Sequence, residues 1–150
     1  MITPIKYIFK QQFACPAEKA FNWCTSFDID DHLLVGLKDA ARKVTYIAAG
    51  TVLLTDTFPS NMGTVEKQKL VQIFPKQLTW TSSHITGPNK YSQFLYKITP
   101  KGKDTSTLIF SANHIEHTLV ADTKSLSIKL CQDDAEAWKL LAQAMKQELG

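Results

Sequence analysis

From residue 44 to residue 117 the side chains alternate with a period of two, in runs separated by short clusters of Gly, Pro, Asn and Ser. Such alternation is the pattern of a half-buried strand. Breaks this short leave no room for a crossover helix, so successive strands are expected to pair antiparallel. Val44, Tyr46 and Ala48 alternate up to Ala49-Gly50. Residues 51–58 follow and close at Pro59-Ser60-Asn61-Met62-Gly63. Residues 64–74 run to Pro75, residues 78–86 stop at Gly87-Pro88-Asn89, residues 91–99 stop at Pro100-Lys101-Gly102-Lys103, and residues 105–117 come last. The spacing predicts an antiparallel meander.

The two ends of the chain read differently. Ile5, Tyr7 and Phe9 alternate with Lys6, Ile8 and Lys10, and Phe13 extends this first strand. Pro16 suits a first helical position and Glu18 a first turn, where a carboxylate complements the helix dipole. Ala20, Phe21, Trp23, Cys24 and Phe27 then predict a helix over about 17–27. Asp28-Ile29-Asp30-Asp31-His32 caps a second short helix through Leu34 and Val35, with Gly36 as its stop. At the other end Leu126, Leu130, Trp138, Leu141, Ala142, Met145 and Leu149 recur at threes and fours, which fixes a helix over about 133–149. Asp122 would cap a longer one, but Leu126, Ile128 and Leu130 also alternate, so its start is open. The chain is therefore α+β, and its 150 residues suit one domain, residues 1–150.

Bulk properties narrow the function. Apolar residues at 44% are too many for a disordered chain. A net charge of +3, mixed along the chain, with Arg42 the lone arginine, argues against nucleic acid, which calls for a basic stripe with several arginines. Cys15, Cys24 and Cys131 are odd in number and lack CxxC spacing, so they are read as reduced core thiols of a cytoplasmic protein. No signal peptide and no apolar run of ~20 residues is present, so stable membrane insertion is not expected. No phosphate loop, nucleophile elbow or HExxH motif occurs, and no cofactor is implied. His114-x-x-His117 on a strand would point to opposite faces, and Asp28, Asp30 and Asp31 lack the rest of a calcium loop, so no metal is expected.

The strand count carries a geometric consequence. Seven strands ~4.8 Å apart span about 30 Å, whereas a helix with its side chains is about 10–12 Å across. One helix cannot cover such a face. The sheet must curl around it, and the hollow must be filled by large side chains or remain as a pocket.

This element order resembles the helix-grip fold of the START/Bet v 1-like superfamily, also labelled SRPBCC or polyketide cyclase/dehydrase. The likeness is carried by Phe13-Ala14-Cys15-Pro16-Ala17-Glu18-Lys19-Ala20-Phe21-Asn22-Trp23, by the turn at Gly50-Thr51, by Pro75 ahead of Leu78-Thr79-Trp80, and by Trp138-Lys139-Leu140-Leu141-Ala142 with Met145. It covers nearly the whole chain as a pattern of elements. It implies a curved antiparallel sheet of about seven strands around a long C-terminal helix, with two short helices after the first strand. Members mostly bind hydrophobic ligands between sheet and helix, some are cyclases or hydrolases, and others activate chaperones.

Strand parity nominates the inward-facing groups. Val52, Leu54 and Phe58 bring Asp56; Leu78 and Trp80 bring Ser82 and His84; Phe94 and Ile98 bring Tyr96; Leu108, Phe110 and Ala112 bring His114. Trp80 and Trp138 stand on the two walls that would enclose a pocket. The candidate ligand-binding residues are therefore Asp56, Phe58, Trp80, His84, Phe94, Tyr96, Phe110, His114 and Trp138. Lys67 and Lys69 share parity with Val65, Val71 and Ile73, so either they ring an opening or the register shifts there. The leading expectation is a binding or carrier protein for a small hydrophobic or amphipathic molecule such as a lipid, polyketide or isoprenoid. The alternatives are a cyclase or hydrolase using Asp56 and a histidine, and an interaction module in the manner of the chaperone activators, with a protein partner.

Overall fold

The computed structural model describes residues 2–27 and 39–149. Its elements are β1 (Thr3–Phe13), α1 (Ala17–Cys24), β2 (Ala41–Ala48), β3 (Thr51–Ser60), β4 (Gly63–Phe74), β5 (Thr79–Thr86), β6 (Gln93–Pro100), β7 (Ser106–Glu116) and α2 (Thr123–Leu149). The strands form one curved antiparallel sheet in the order β1-β7-β6-β5-β4-β3-β2. Strands β2 to β7 form the expected meander, and β1 closes on β7 with Thr3 opposite Glu116. The second short helix expected near Leu34 lies outside the described residues. No described helix is long and apolar enough to cross a membrane.

Element ends differ from the sequence reading where single residues take left-handed backbone. The first helix was expected to reach residue 27. It ends at Cys24, where the Thr25 amide and hydroxyl both donate to the Phe21 carbonyl, and Phe27 has φ 51°. Pro16 caps this helix from outside, its carbonyl accepting the Ala20 amide at 3.0 Å. Leu78, expected to begin a strand, closes the short 3-10 turn Pro75–Gln77 at φ 48°. Tyr91, expected in the next strand, sits in the turn at φ 75°, and β6 starts at Gln93. The open start of the last helix resolves in favour of helix throughout. Asp122 accepts the Ser125 amide at 3.1 Å and the Ser125 hydroxyl at 2.7 Å, satisfying first-turn donors.

The main core lies where α1 and the C-terminal end of α2 meet β6 and β7. Phe13, Ile98, Leu108 and Met145 are fully buried there, each worth about 1.5–3 kcal/mol of transfer free energy. Cys15 Sγ lies 3.4 Å from Met145 Sδ, and Trp23 donates to Glu148 at 2.7 Å, so α1 and α2 are fastened at one end. Along the rest of α2 burial is partial. Met145 is its one buried residue, and Asp134, Ala137, Trp138 and Leu141 in the middle of its inward face border open volume.

Candidate functional site

Sheet register writes two rows of side chains across the concave face. In the first, Arg42 of β2 stands opposite Asp56 of β3, and Asp56 stands opposite Lys67 of β4. In the second, Ile73 of β4 stands opposite Trp80 of β5, which is followed by Tyr96 of β6, Phe110 of β7 and Phe9 of β1. Trp80 and Tyr96 stack at 4.8 Å with their planes 3° apart, and Phe9 stacks on Phe110 at 4.6 Å. Cross-strand neighbours on one face of a sheet stand close enough for such contacts, so period two alone creates a charged half and an aromatic half.

Between these rows and α2 lies a cavity of about 430 Å³. The sheet contributes Arg42, Leu54, Asp56, Phe58, Lys67, Lys69, Val71, Trp80, Ser82 and Tyr96 to its wall. Trp23, Cys24 and Phe27 of the α1 segment close one end, and Asp134, Ala137, Trp138 and Leu141 of α2 form the roof. Trp138 approaches Trp80 at 6.4 Å and Tyr96 at 5.8 Å, so aromatic rings face the volume from both layers. Its size falls within the ~300–1,000 Å³ of small-molecule sites.

The charges are organised around Asp56, which is only 4% exposed. Arg42 Nε donates to Asp56 Oδ1 at 2.7 Å and Arg42 Nη2 to Oδ2 at 3.0 Å, the two-pronged geometry that guanidinium and carboxylate favour. Lys69 Nζ reaches Oδ2 at 3.1 Å. Burial alone would raise the Asp56 pKa, but the Arg42 hydrogen bonds and the Lys69 charge outweigh it and hold the carboxyl below its usual range. Lys69 is pulled the other way, its burial lowering the ammonium pKa against the support of Asp56. Burial lowers Lys67 as well. On the roof, burial raises Asp134 although the Tyr7 hydroxyl donates to it, and desolvation together with that carboxylate pushes Tyr7 upward.

Of the nine candidate residues, Asp56, Phe58, Trp80, Tyr96 and Trp138 line this cavity. The other four stand outside its lining. Phe110 of the aromatic row forms a buried cluster with Phe94 and Ala112. The His84 ring packs on Phe94 at 5.0 Å with Nδ1 3.3 Å from Asn89 Oδ1, and burial with the nearby Lys69 charge pushes its pKa down to about 4. His114 Nε2 sits 3.0 Å from Glu116. Phe94 and Phe110 are covered by Tyr7 and Phe9 of β1, and Tyr7 in turn donates to Asp134 of α2. Both lysines line the cavity in unbroken register with β3, while against β5 the register does shift, between Gln68 and Lys69, so both features of the expectation are present.

Sequence reasoning missed Arg42 and Asp134. Both carried a signal. Arg42 shares the parity of Val44, and Asp134 falls four residues from both Leu130 and Trp138 on the apolar stripe of α2.

No family profile and no curated protein sequence matches the chain. Solved structures do. The aromatase/cyclase Zhui from Streptomyces sp. R1128 superposes with a TM-score of 0.78 at 6% identity, covering 100% of this chain and 97% of its own. A START superfamily protein from Mycobacterium smegmatis gives 0.73 at 14% identity over 95% and 98%. Norcoclaurine synthase from Thalictrum flavum, in complex with dopamine and hydroxybenzaldehyde, gives 0.70 at 11% identity over 97% and 88%. Likeness at these identities is likeness of fold, and with the sheet order and the gripped helix it establishes that this chain has the START/Bet v 1-like helix-grip fold.

Proposed function

We propose that this protein binds or carries a small amphipathic molecule held between the sheet and α2. The observation that supports this reading is the cavity itself: about 430 Å³, aromatic on one side and charged on the other. A ligand's apolar body gains by leaving water for the rings of Trp80, Tyr96 and Trp138, while polar atoms find donors at the Asp56 cluster. The volume suits a single-ring to few-ring compound or a short chain. The structural neighbour that holds dopamine and hydroxybenzaldehyde, both small aromatic compounds, is consistent in scale.

Acid–base catalysis by Asp56 and a histidine is less well supported. No histidine among the described residues lines the cavity, and an Asp56 carboxylate saturated by Arg42 and Lys69 is a poor proton acceptor. An interaction module without a guest leaves the internal volume unexplained.

Native mass spectrometry of protein purified from its own source tests the proposal. A retained non-covalent mass of a few hundred daltons is expected. Adding that compound at 100 times its Kd to stripped protein should stabilise it by about 2.7 kcal/mol, or roughly 5–10 °C in Tm. A bare polypeptide mass, together with no thermal shift from a panel of amphipathic aromatic compounds, would overturn the reading.

A further inference from the structure

The cavity wall carries a cation, Lys67, that no carboxylate of the described residues pairs directly; Asp56 and Asp134 act on it only at longer range. Lys67 lines the cavity, and its ammonium offers three donors. Its one close contact is the Phe58 ring, 5.5 Å from Nζ to the centroid; among the described residues it has no ion pair and no hydrogen bond. Asp56 faces it across the strand pair but is already committed, one oxygen to Arg42 and the other to both Arg42 and Lys69. Asp134, the other carboxylate among the described lining residues, is on the roof and accepts from Tyr7. The β5–β6 turn lies close to the stem of Lys67, since a Cβ at Gly87 would lie 2.8 Å from Lys67 Cγ.

An empty cavity lets water solvate this ammonium. A ligand that fills the cavity removes the water, and an isolated desolvated cation is costly unless the ligand supplies an acceptor. We propose that the natural ligand carries an anionic oxygen group, carboxylate or phosphate, seated on Lys67 beside the Asp56 cluster, with its apolar body against Trp80, Tyr96 and Trp138. This inference rests on the cavity being a ligand site and adds the charge of the ligand. A neutral guest leaves Lys67 desolvated and unpaired, and a cationic one adds repulsion from Lys67, Lys69 and Arg42.

The test compares four probes that share one ring system: 2-naphthoate, 2-naphthyl phosphate, neutral 2-naphthamide and cationic 2-naphthylmethylamine. Binding is read by quenching of tryptophan fluorescence and by thermal shift, since Trp80 and Trp138 face the cavity. Wild-type protein should prefer at least one of the two anions to the amide by about tenfold or more, and the amine should bind weakest. Which anion binds better distinguishes a carboxylate from a phosphate head. Lys67→Met should erase the preference while the amide still binds, and Lys67→Arg should retain it. If Lys67→Met is unfolded by circular dichroism, Lys67→Gln gives the same comparison. Equal affinity for anions and amide, or a preference undiminished in the neutral variants, overturns the inference and leaves the cavity reading standing. No binding of any probe, with a bare mass in the native spectrum, overturns both.

Discussion

Asp56 illustrates how one buried side chain can organise a site. Its carboxylate is paired by both Arg42 and Lys69. Replacing it by asparagine leaves the Arg42 guanidinium and the Lys69 ammonium adjacent with their shared carboxylate gone. Removing one partner of a dry buried pair costs about 3–5 kcal/mol; because the cavity admits water here, roughly 2–4 kcal/mol is expected for Asp56→Asn in urea unfolding. Acid should separate two contributions to stability. His84 titrates near 4 when folded and near ~6.5 when unfolded, so the unfolded chain binds more protons between these values. Stability due to its neutral form is complete above ~6.5 and is lost as pH falls toward 4, on the order of 3 kcal/mol in all. Asp56, with a lowered native pKa, contributes fully above the ~3.9 of an unfolded carboxyl and loses its contribution only as pH falls further. A His84→Gln variant should therefore flatten the limb between pH 6.5 and 4 and leave the lower limb in place; an unchanged upper limb would contradict this. Asp56, Trp80 and Tyr96 were legible because strand parity reports which face a residue takes. Arg42 and Asp134 were passed over because a charge on an apolar stripe is usually solvated, and nothing in one sequence reveals that two stripes will face each other across a void.

The elements themselves were legible wherever periodicity ran long enough to average out single residues. Their ends were not, because backbone at positive φ at Phe27, Leu78 and Tyr91 is set by local packing and turn geometry instead of composition. Turns matter to the site as well as to the fold. Gly87 has φ 108°, and a Cβ there would lie 2.8 Å from Lys67 Cγ. Gly87→Ala should destabilise the protein by more than ~1 kcal/mol, since alanine resists that backbone conformation and its methyl must displace the lysine. It should also weaken anionic 2-naphthoate more than neutral 2-naphthamide. Equal loss for both probes would mean that the turn supports the fold without positioning Lys67. In α2 the roof contains a small residue, Ala137, facing the cavity. Ala137→Leu should fill part of the volume, raise stability by about 0.5–2 kcal/mol as cavity-filling changes commonly do, and weaken probe binding. Higher stability with undiminished binding would place the ligand elsewhere.

At the scale of the whole molecule the governing relation is one of dimensions. A seven-stranded sheet curls about one helix; Phe21 of α1 and Met145 of α2 pack with Trp80 of β5 in one part of the hollow, and Phe94, Phe110 and Ala112 fill another. The volume left toward β2, β3 and β4 is where the charges gather, and there the sequence argument fell short. It foresaw a hollow with apolar walls, whereas the structure gives that hollow two characters, because the meander places the Arg42–Asp56–Lys67 row and the Trp80–Tyr96 row in neighbouring strands of one curved layer. The most direct test is a heteronuclear NMR titration of the full chain with 2-naphthoate, following backbone amides. Shifts are expected to concentrate at Asp56, Lys67, Val71, Trp80, Ser82, Tyr96 and Ala137. Shifts confined to the convex face, at Ile8, Leu95 and Ile109, or saturating probe with no shift at the cavity residues, would contradict it.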